Sequence, residues 1–229
     1  LWRARLVLSG LPGDPQNYFM SAQGDPLNWN YAATDTGTQA ISGNTALAGL
    51  TGDFINCLIP FTEDEMIFGC DHTIWRMAGD RAMGGDLHLV TAKIGMAWGR
   101  PFAKDDKGQI YFMSNQAGIY KMSVGAVPIR ISQQIERRLE DLDLGLYIVR
   151  LAWSMKFQGL RVFITPKDVS KTAENYFWEA RTGAWQPEFF AKRGMNPFAV
   201  HEFDGDLAAD RSLLIGGRDG HLRFEDPSA

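Results

Sequence analysis

The chain has 229 residues, 45% of them hydrophobic and 12% aromatic, and carries a net charge of −4. That is enough apolar material for a large core in one β-rich domain. The acidic balance excludes a broad basic surface, and with it nucleic-acid binding driven by phosphate neutralisation across the whole domain, while leaving room for a local basic lining. No apolar stretch reaches membrane-spanning length, and no signal peptide opens the chain. The start, Leu1-Trp2-Arg3, falls inside a strand-like pattern and reads as part of a longer polypeptide whose ends lie elsewhere.

Taken in order, the apolar runs group into repeated units. The first unit has Arg5 to Leu8, Tyr18 to Ser21 and a fourth strand near Thr38 to Ile41, and lacks an opening strand. The second has Phe54 to Phe61, Glu65 to Gly69, Thr73 to Met77 and Leu87 to Thr91. The third has Gly95 to Trp98, Gln109 to Met113, Ala117 to Met122 and Val127 to Ile131. In this last run Pro128 cannot donate to a ladder, which predicts an outer edge strand. The fourth unit has Tyr147 to Trp153, Leu160 to Ile164, Tyr176 to Glu179 and Ala184 to Phe189; the fifth has Phe198 to Phe203, Leu213 to Ile215 and Leu222 to Phe224. Equivalent second strands begin near residues 5, 66, 110, 160 and 213. That spacing matches the roughly 40 to 50 residues of a propeller blade. Four-stranded antiparallel units in series predict an all-β β-propeller of about five blades, with the first and last incomplete. Their approximate bounds are 1–50, 51–93, 94–140, 141–192 and 193–229. A sandwich is the main competitor, but would not need the recurring hairpin.

Between the third and fourth units, Ser132 to Glu140 reads as a short helix, with Ser132 as N-cap and Ile135 and Leu139 as its apolar stripe. It reads as a connector over a blade edge. A hairpin turn at Thr62-Glu63-Asp64-Glu65 sets Cys57 opposite Cys70; a one-residue slip would set Asp71 there instead. Nothing marks the chain as secreted, so free thiols are favoured over a cross-strand disulfide.

Catalytic patterns are sparse. His72 and His221 fall in or beside equivalent hairpin turns, and there is no HExxH, CxxC, GxSxG or P-loop pattern. Cys70-Asp71-His72 places three ligand types in a row, but adjacent strand residues point to alternate faces. Gly216 to Gly220 is flanked by strands and reads as a hairpin turn. Acidic loops at Asp14, Asp25, Asp35, Glu63-Asp64, Asp105-Asp106 and Asp204-Gly205-Asp206 suit tight turns, although paired acids could also serve a propeller hydrolase. Arg130, Arg150 and Arg161 align irregularly with the units. Trp75 and Trp178 occupy equivalent third strands and read as core, whereas Trp29, in the loop Gly24-Asp25-Pro26-Leu27-Asn28-Trp29-Asn30, reads as an exposed anchor for a partner. No catalytic, cofactor-binding or metal residue is assigned.

Two stretches carry a resemblance. One is Ala4-Arg5-Leu6-Val7-Leu8-Ser9-Gly10 with Tyr18-Phe19-Met20-Ser21 and Gly24-Asp25-Pro26-Leu27-Asn28-Trp29. The other is Leu58-Ile59-Pro60-Phe61 with Met66-Ile67-Phe68-Gly69-Cys70 and Ile74-Trp75-Arg76-Met77-Ala78-Gly79-Asp80. Their order resembles the propeller-bearing tail nozzle and tail-tube proteins of short-tailed bacteriophages. The match also touches Gly108 to Ser114 and Gly118 to Lys121, and beyond the first half rests on the blade rhythm alone. The resemblance implies a non-enzymatic structural component of the virion tail, made in the host cytoplasm. It implies copies joined in a ring, sixfold by analogy, next to adaptor or fibre proteins, with DNA passing through without specific binding. No cofactor is implied. The alternatives are a glycan-binding or glycan-cleaving propeller, which would gather acids, arginines and aromatics at one mouth, and a propeller scaffold for protein partners.

Overall fold

A computed structural model describes residues 1–32, 34–35, 37–46, 52–203, 205–206 and 211–225. The described chain is all-β, in five antiparallel sheets of three or four strands, none of them closed on itself. The strands of each sheet follow one another in sequence as a simple meander, as expected when each apolar run meets a tight turn and folds back. The chain forms two compact units, 1–99 with 124–127, and 100–123 with 128–229.

In the first unit, β1 (Val7–Leu11), β2 (Asp14–Met20) and β3 (Ile41–Asn44) make one sheet, and β4 (Ile55–Pro60), β5 (Glu65–Cys70), β6 (Ile74–Ala78) and β7 (Asp86–Thr91) the next. β1 lies beside β4, the opening strand of its neighbour. Among the described residues the first sheet therefore has its opening strand and lacks an outer one, the reverse of the sequence expectation. The run near Thr38 to Ile41 begins its strand only at Ile41, and as the third of the sheet. The core gathers Trp2, Tyr18, Met20, Ile55, Met66, Phe68, Cys70, Trp75 and Met77.

In the second unit, β8 (Phe102–Lys104), β9 (Gln109–Met113), β10 (Ile119–Ser123) and β11 (Ile129–Arg130) form one sheet. The second sheet holds β12 (Tyr147–Ser154), β13 (Gly159–Pro166), β14 (Glu174–Glu179) and β15 (Trp185–Glu188), and the third β16 (Pro197–Phe203), β17 (Ser212–Gly217) and β18 (Leu222–Phe224). β12 packs between β8 and β16, so the three opening strands are neighbours. β11, which follows Pro128, sits at the outer edge.

Three local expectations are corrected. Gly95 to Trp98 is not a strand. A Cβ at Gly95 would overlap the Asp71 carbonyl, and Met96 N–H donates to Cys70 O (2.8 Å) while its own carbonyl accepts from Asn56 Nδ2 (2.9 Å). The segment is a strap at the end of β5, and the opening strand comes later, at Phe102. Cys57 faces Gly69, not Cys70 or Asp71, because the register leaving the turn, with Pro60 opposite Met66, is one residue off the expected one; an irregularity between Ile55 and Cys57 then sets Ile55 opposite Cys70. Both thiols are free and buried. Ser132 caps nothing: its Oγ accepts from Ile119 N–H (3.0 Å) and Arg130 Nε (3.3 Å), and the expected helix is a 3₁₀ turn over Gln133–Ile135 followed by α1 (Glu136–Leu139).

Candidate functional site

The two main stretches of the resemblance lie in the first unit, where Arg5, Ser21 and Asp80 meet. Trp2 and Arg5 close a tight turn through reciprocal backbone hydrogen bonds, with Arg3 and Ala4 at positive φ. The turn delivers Arg5 into the core, where its residue exposure is 0%. Its Nε donates to Asp80 Oδ2 (3.1 Å), Nη1 to the carbonyls of Ser21 (2.8 Å) and Gln39 (2.6 Å), and Nη2 to Gly37 O (3.2 Å). Asp80 Oδ1 accepts from Ala82 N–H (2.9 Å), capping the short 3₁₀ turn that follows. One buried guanidinium thus ties β1, the long β2–β3 connection and the end of β6 together. A buried charge persists only when paired and hydrogen-bonded, and every nitrogen of this guanidinium has an acceptor. The two motif halves, Arg5 and Gly79-Asp80, are joined by an ion pair that spans 75 positions.

The second unit holds a cleft of about 360 Å³ where the β8–β9, β12–β13 and β16–β17 connections meet. Its floor is buried: Trp153, Ser154, Leu213 and Glu225. Its rim is exposed and carries both signs of charge, with Lys104, Lys156 and Arg211 against Asp106 and Glu202, beside Met155 and Phe203. Glu225 is held from behind: Oε1 accepts from Arg161 Nε (2.5 Å), and Ser154 Oγ donates to Oε2 (2.9 Å). Arg161 also pairs with Glu188 and lies over Phe157 and Phe177, 5.4 and 5.3 Å from their ring centres. Burial pushes the Glu188 carboxyl up, Arg161 pulls it back, and Glu225 raises it again. Asp105 is spent on its turn, accepting from Lys107 and Gln109 N–H and from the Tyr111 hydroxyl (3.1 Å). Burial first, and then Asp105, push the Tyr111 phenol up. Burial and Arg100 lower the Lys104 ammonium, with Glu202 opposing. Trp153 stacks on Tyr111 at 5.1 Å and 16°, and its buried Nε1 has no hydrogen-bond partner.

The other sequence candidates scatter. His72 is exposed in its turn, 3.5 Å from Asp53 and from Asp71. Among the described residues no three His, Cys, Asp or Glu side chains gather closely enough for a metal ion. Arg130 pairs with Glu136, and Arg150 donates to Val149 O, so with Arg161 these arginines serve separate partners. Asp25 and Asp35 bond the backbone of their own turns, and Asp204 lies outside the described residues. Trp75 and Trp178 are core. Trp29 is half-buried and not the exposed anchor expected; Leu27 beside it is the exposed side chain, at 88%. Sequence reasoning passed over the cleft as a site because its residues come from five separate segments; Asp105-Asp106 drew notice only as an acidic loop.

No protein-family model matches the chain, and no curated protein does. Among solved structures, the chain is similar to a luciferin-regenerating enzyme at 10% identity and a TM-score of 0.50, covering 96% of this chain and 68% of that one. It is also matched to a puromycin hydrolase, at 12% identity, TM-score 0.37 and 96% and 33% coverage. A third match is the extracellular domain of a one-component system from B. thetaiotaomicron, at 10% identity, TM-score 0.40 and 97% and 34% coverage. The chain spans about a third of the length of these last two. The first likeness speaks to the fold alone, and none of the three descriptions names a virion protein. No helix among the described residues is long and apolar enough to cross a membrane.

Proposed function

We propose that this chain is a β-propeller and a non-enzymatic structural component of a phage tail, of the nozzle or tail-tube kind. In this reading copies assemble in a ring, sixfold by analogy, around a channel through which DNA passes. The observation that carries it is the use made of the resembling residues. Arg5, Ser21 and Asp80 meet in one buried, hydrogen-bonded cluster, so the shared pattern is architectural and has a physical reason to recur as a set. The propeller reading is supported by five meander sheets in series and by neighbouring opening strands within each unit. Net acidity suits a channel wall along which DNA slides without tight phosphate contacts. The neighbours in this reading are adaptor or fibre proteins of the same tail. The test is light scattering of the full-length protein with negative-stain imaging, alone and with tail partners. A ring in either condition is expected. A strict monomer in both, or one that cleaves a polysaccharide, overturns the reading.

A further inference from the structure

We infer that β18, the outer edge of the last sheet, is an acceptor for an extended apolar peptide strand donated by a different polypeptide chain. The inference goes beyond the tail reading and does not rest on it.

The ladder fixes which groups face outward. Gly217 N–H donates to His221 O (2.9 Å) and Glu225 N–H to Leu213 O (2.9 Å), with Ile215 facing Arg223 between them. Antiparallel ladder bonds alternate, so residues 221, 223 and 225 bond to β17 while Leu222 and Phe224 turn their N–H and C=O groups away from it. No strand among the described residues takes them up. The sister sheet shows what does so in a complete one. In β10 the place of Leu222 is held by Ile119, one past the Gly118 carbonyl that accepts from Ser114 N–H (2.8 Å). Ile119 O accepts from Ile131 N–H (2.9 Å) and Ile119 N–H donates to Ser132 Oγ (3.0 Å), so the fourth-strand segment covers both groups. In the next sheet Glu179 N–H, at the end of β14, likewise donates to Ala184 O (3.0 Å). An open edge is normally guarded by proline or charge. The outer strands of these two complete sheets follow the rule, with Pro128 and Arg130 at β11 and Pro187 and Glu188 in β15. On β18 that guard is weak. Leu222 and Phe224 are 63% and 65% exposed on one face, and the charge of Arg223 is held by Asp219 through Nη1 (3.0 Å) and Nη2 (2.5 Å). The side chains define the partner's chemistry: apolar residues opposite Leu222 and Phe224, and an uncharged or acidic one opposite Arg223. A second copy of β18, in the register that uses both outward residues, would set Arg223 opposite Arg223, so the geometry favours a different chain.

The probe is a synthetic peptide of the chain's own Gly125–Ser132 sequence, the segment that completes the sister sheet, carrying Arg130→Glu to meet Arg223. Calorimetry reads its binding, and amide hydrogen exchange followed by NMR locates it. In the free protein the Leu222 and Phe224 amides should exchange fast while the Arg223 amide is protected; bound peptide should slow the first two about tenfold. N-methylation of the peptide at position 129, whose N–H the sister register aims at the third strand, should weaken binding about tenfold; at position 130, whose N–H points away, it should change nothing. Phe224→Ser, at an exposed position, should weaken binding severalfold. No binding at millimolar peptide, equal effects of the two N-methylations, or Leu222 and Phe224 amides already protected in the free monomer overturns the inference. A peptide-free dimer that Phe224→Ser dissociates assigns the edge to a second copy and overturns it too.

Discussion

Replacing Asp80 by Asn isolates the charge in the Arg5 cluster. Asn has nearly the same shape and retains an oxygen to cap Ala82 N–H, so the 3₁₀ turn is preserved. What is lost is the counter-charge to a guanidinium of 0% exposure, whose remaining acceptors are the carbonyls of Ser21, Gln39 and Gly37. Arg3 Nε, 3.8 Å from the same carboxylate, loses its partner too. Removing one member of a buried pair costs about 3–5 kcal/mol. With a urea dependence of about 2 kcal/mol per M, the midpoint should fall by roughly 2 M. Urea unfolding followed by circular dichroism reads the shift. A cycle with Arg5→Met should show coupling of about 1–3 kcal/mol, because the second substitution removes the charge the first one stranded. A single Asp80→Asn cost below about 1 kcal/mol, with additive effects in the cycle, would refute the argument.

Other expectations follow from the same geometry. Burial holds the Cys57 thiol up to about 12 and raises Cys70 as well, so neither should react with a disulfide reagent in the native protein and both should in denaturant; rapid native labelling would contradict this. Asp219 is lowered from 3.8 to about 2, chiefly by the side-chain hydrogen bonds from Arg223. Whatever stability that pairing contributes is present above pH 3.8 and is lost as pH falls through about 2; a carboxyl NMR titration with its midpoint at the ordinary value would remove the basis for it. Ser132→Ala strands the Ile119 N–H and should cost about 1–3 kcal/mol, measured by thermal unfolding, where a mere connector residue would cost almost nothing. Gly69→Ala should cost a similar amount, since its Cβ would press on Met96 Sδ and Cys57 Sγ; a neutral result would show that the strap at Gly95 to Trp98 is loose.

Much of the strand order was legible in the sequence because it is local. Short apolar runs such as Gln109–Met113 and Leu222–Phe224, broken by turn residues, leave little choice but hairpins, and Pro128 marked an edge because it has no N–H to give. Tertiary structure decided what depends on distant partners. Cys57 slid away from Cys70 because the register set at the turn, with Pro60 opposite Met66, is one residue off the expected one. Gly95 to Trp98 has a strand-like composition, yet the approach to Asp71 makes it a strap. Ser132, which reads as a cap, turned to the Ile119 amide because a buried N–H outranks a local preference. Arg5 and Asp80 are each ordinary in sequence, and only the fold, by burying both, makes them indispensable to one another. The cleft around Trp153 is the extreme case: no short stretch encodes it, because it exists only where five strand ends meet.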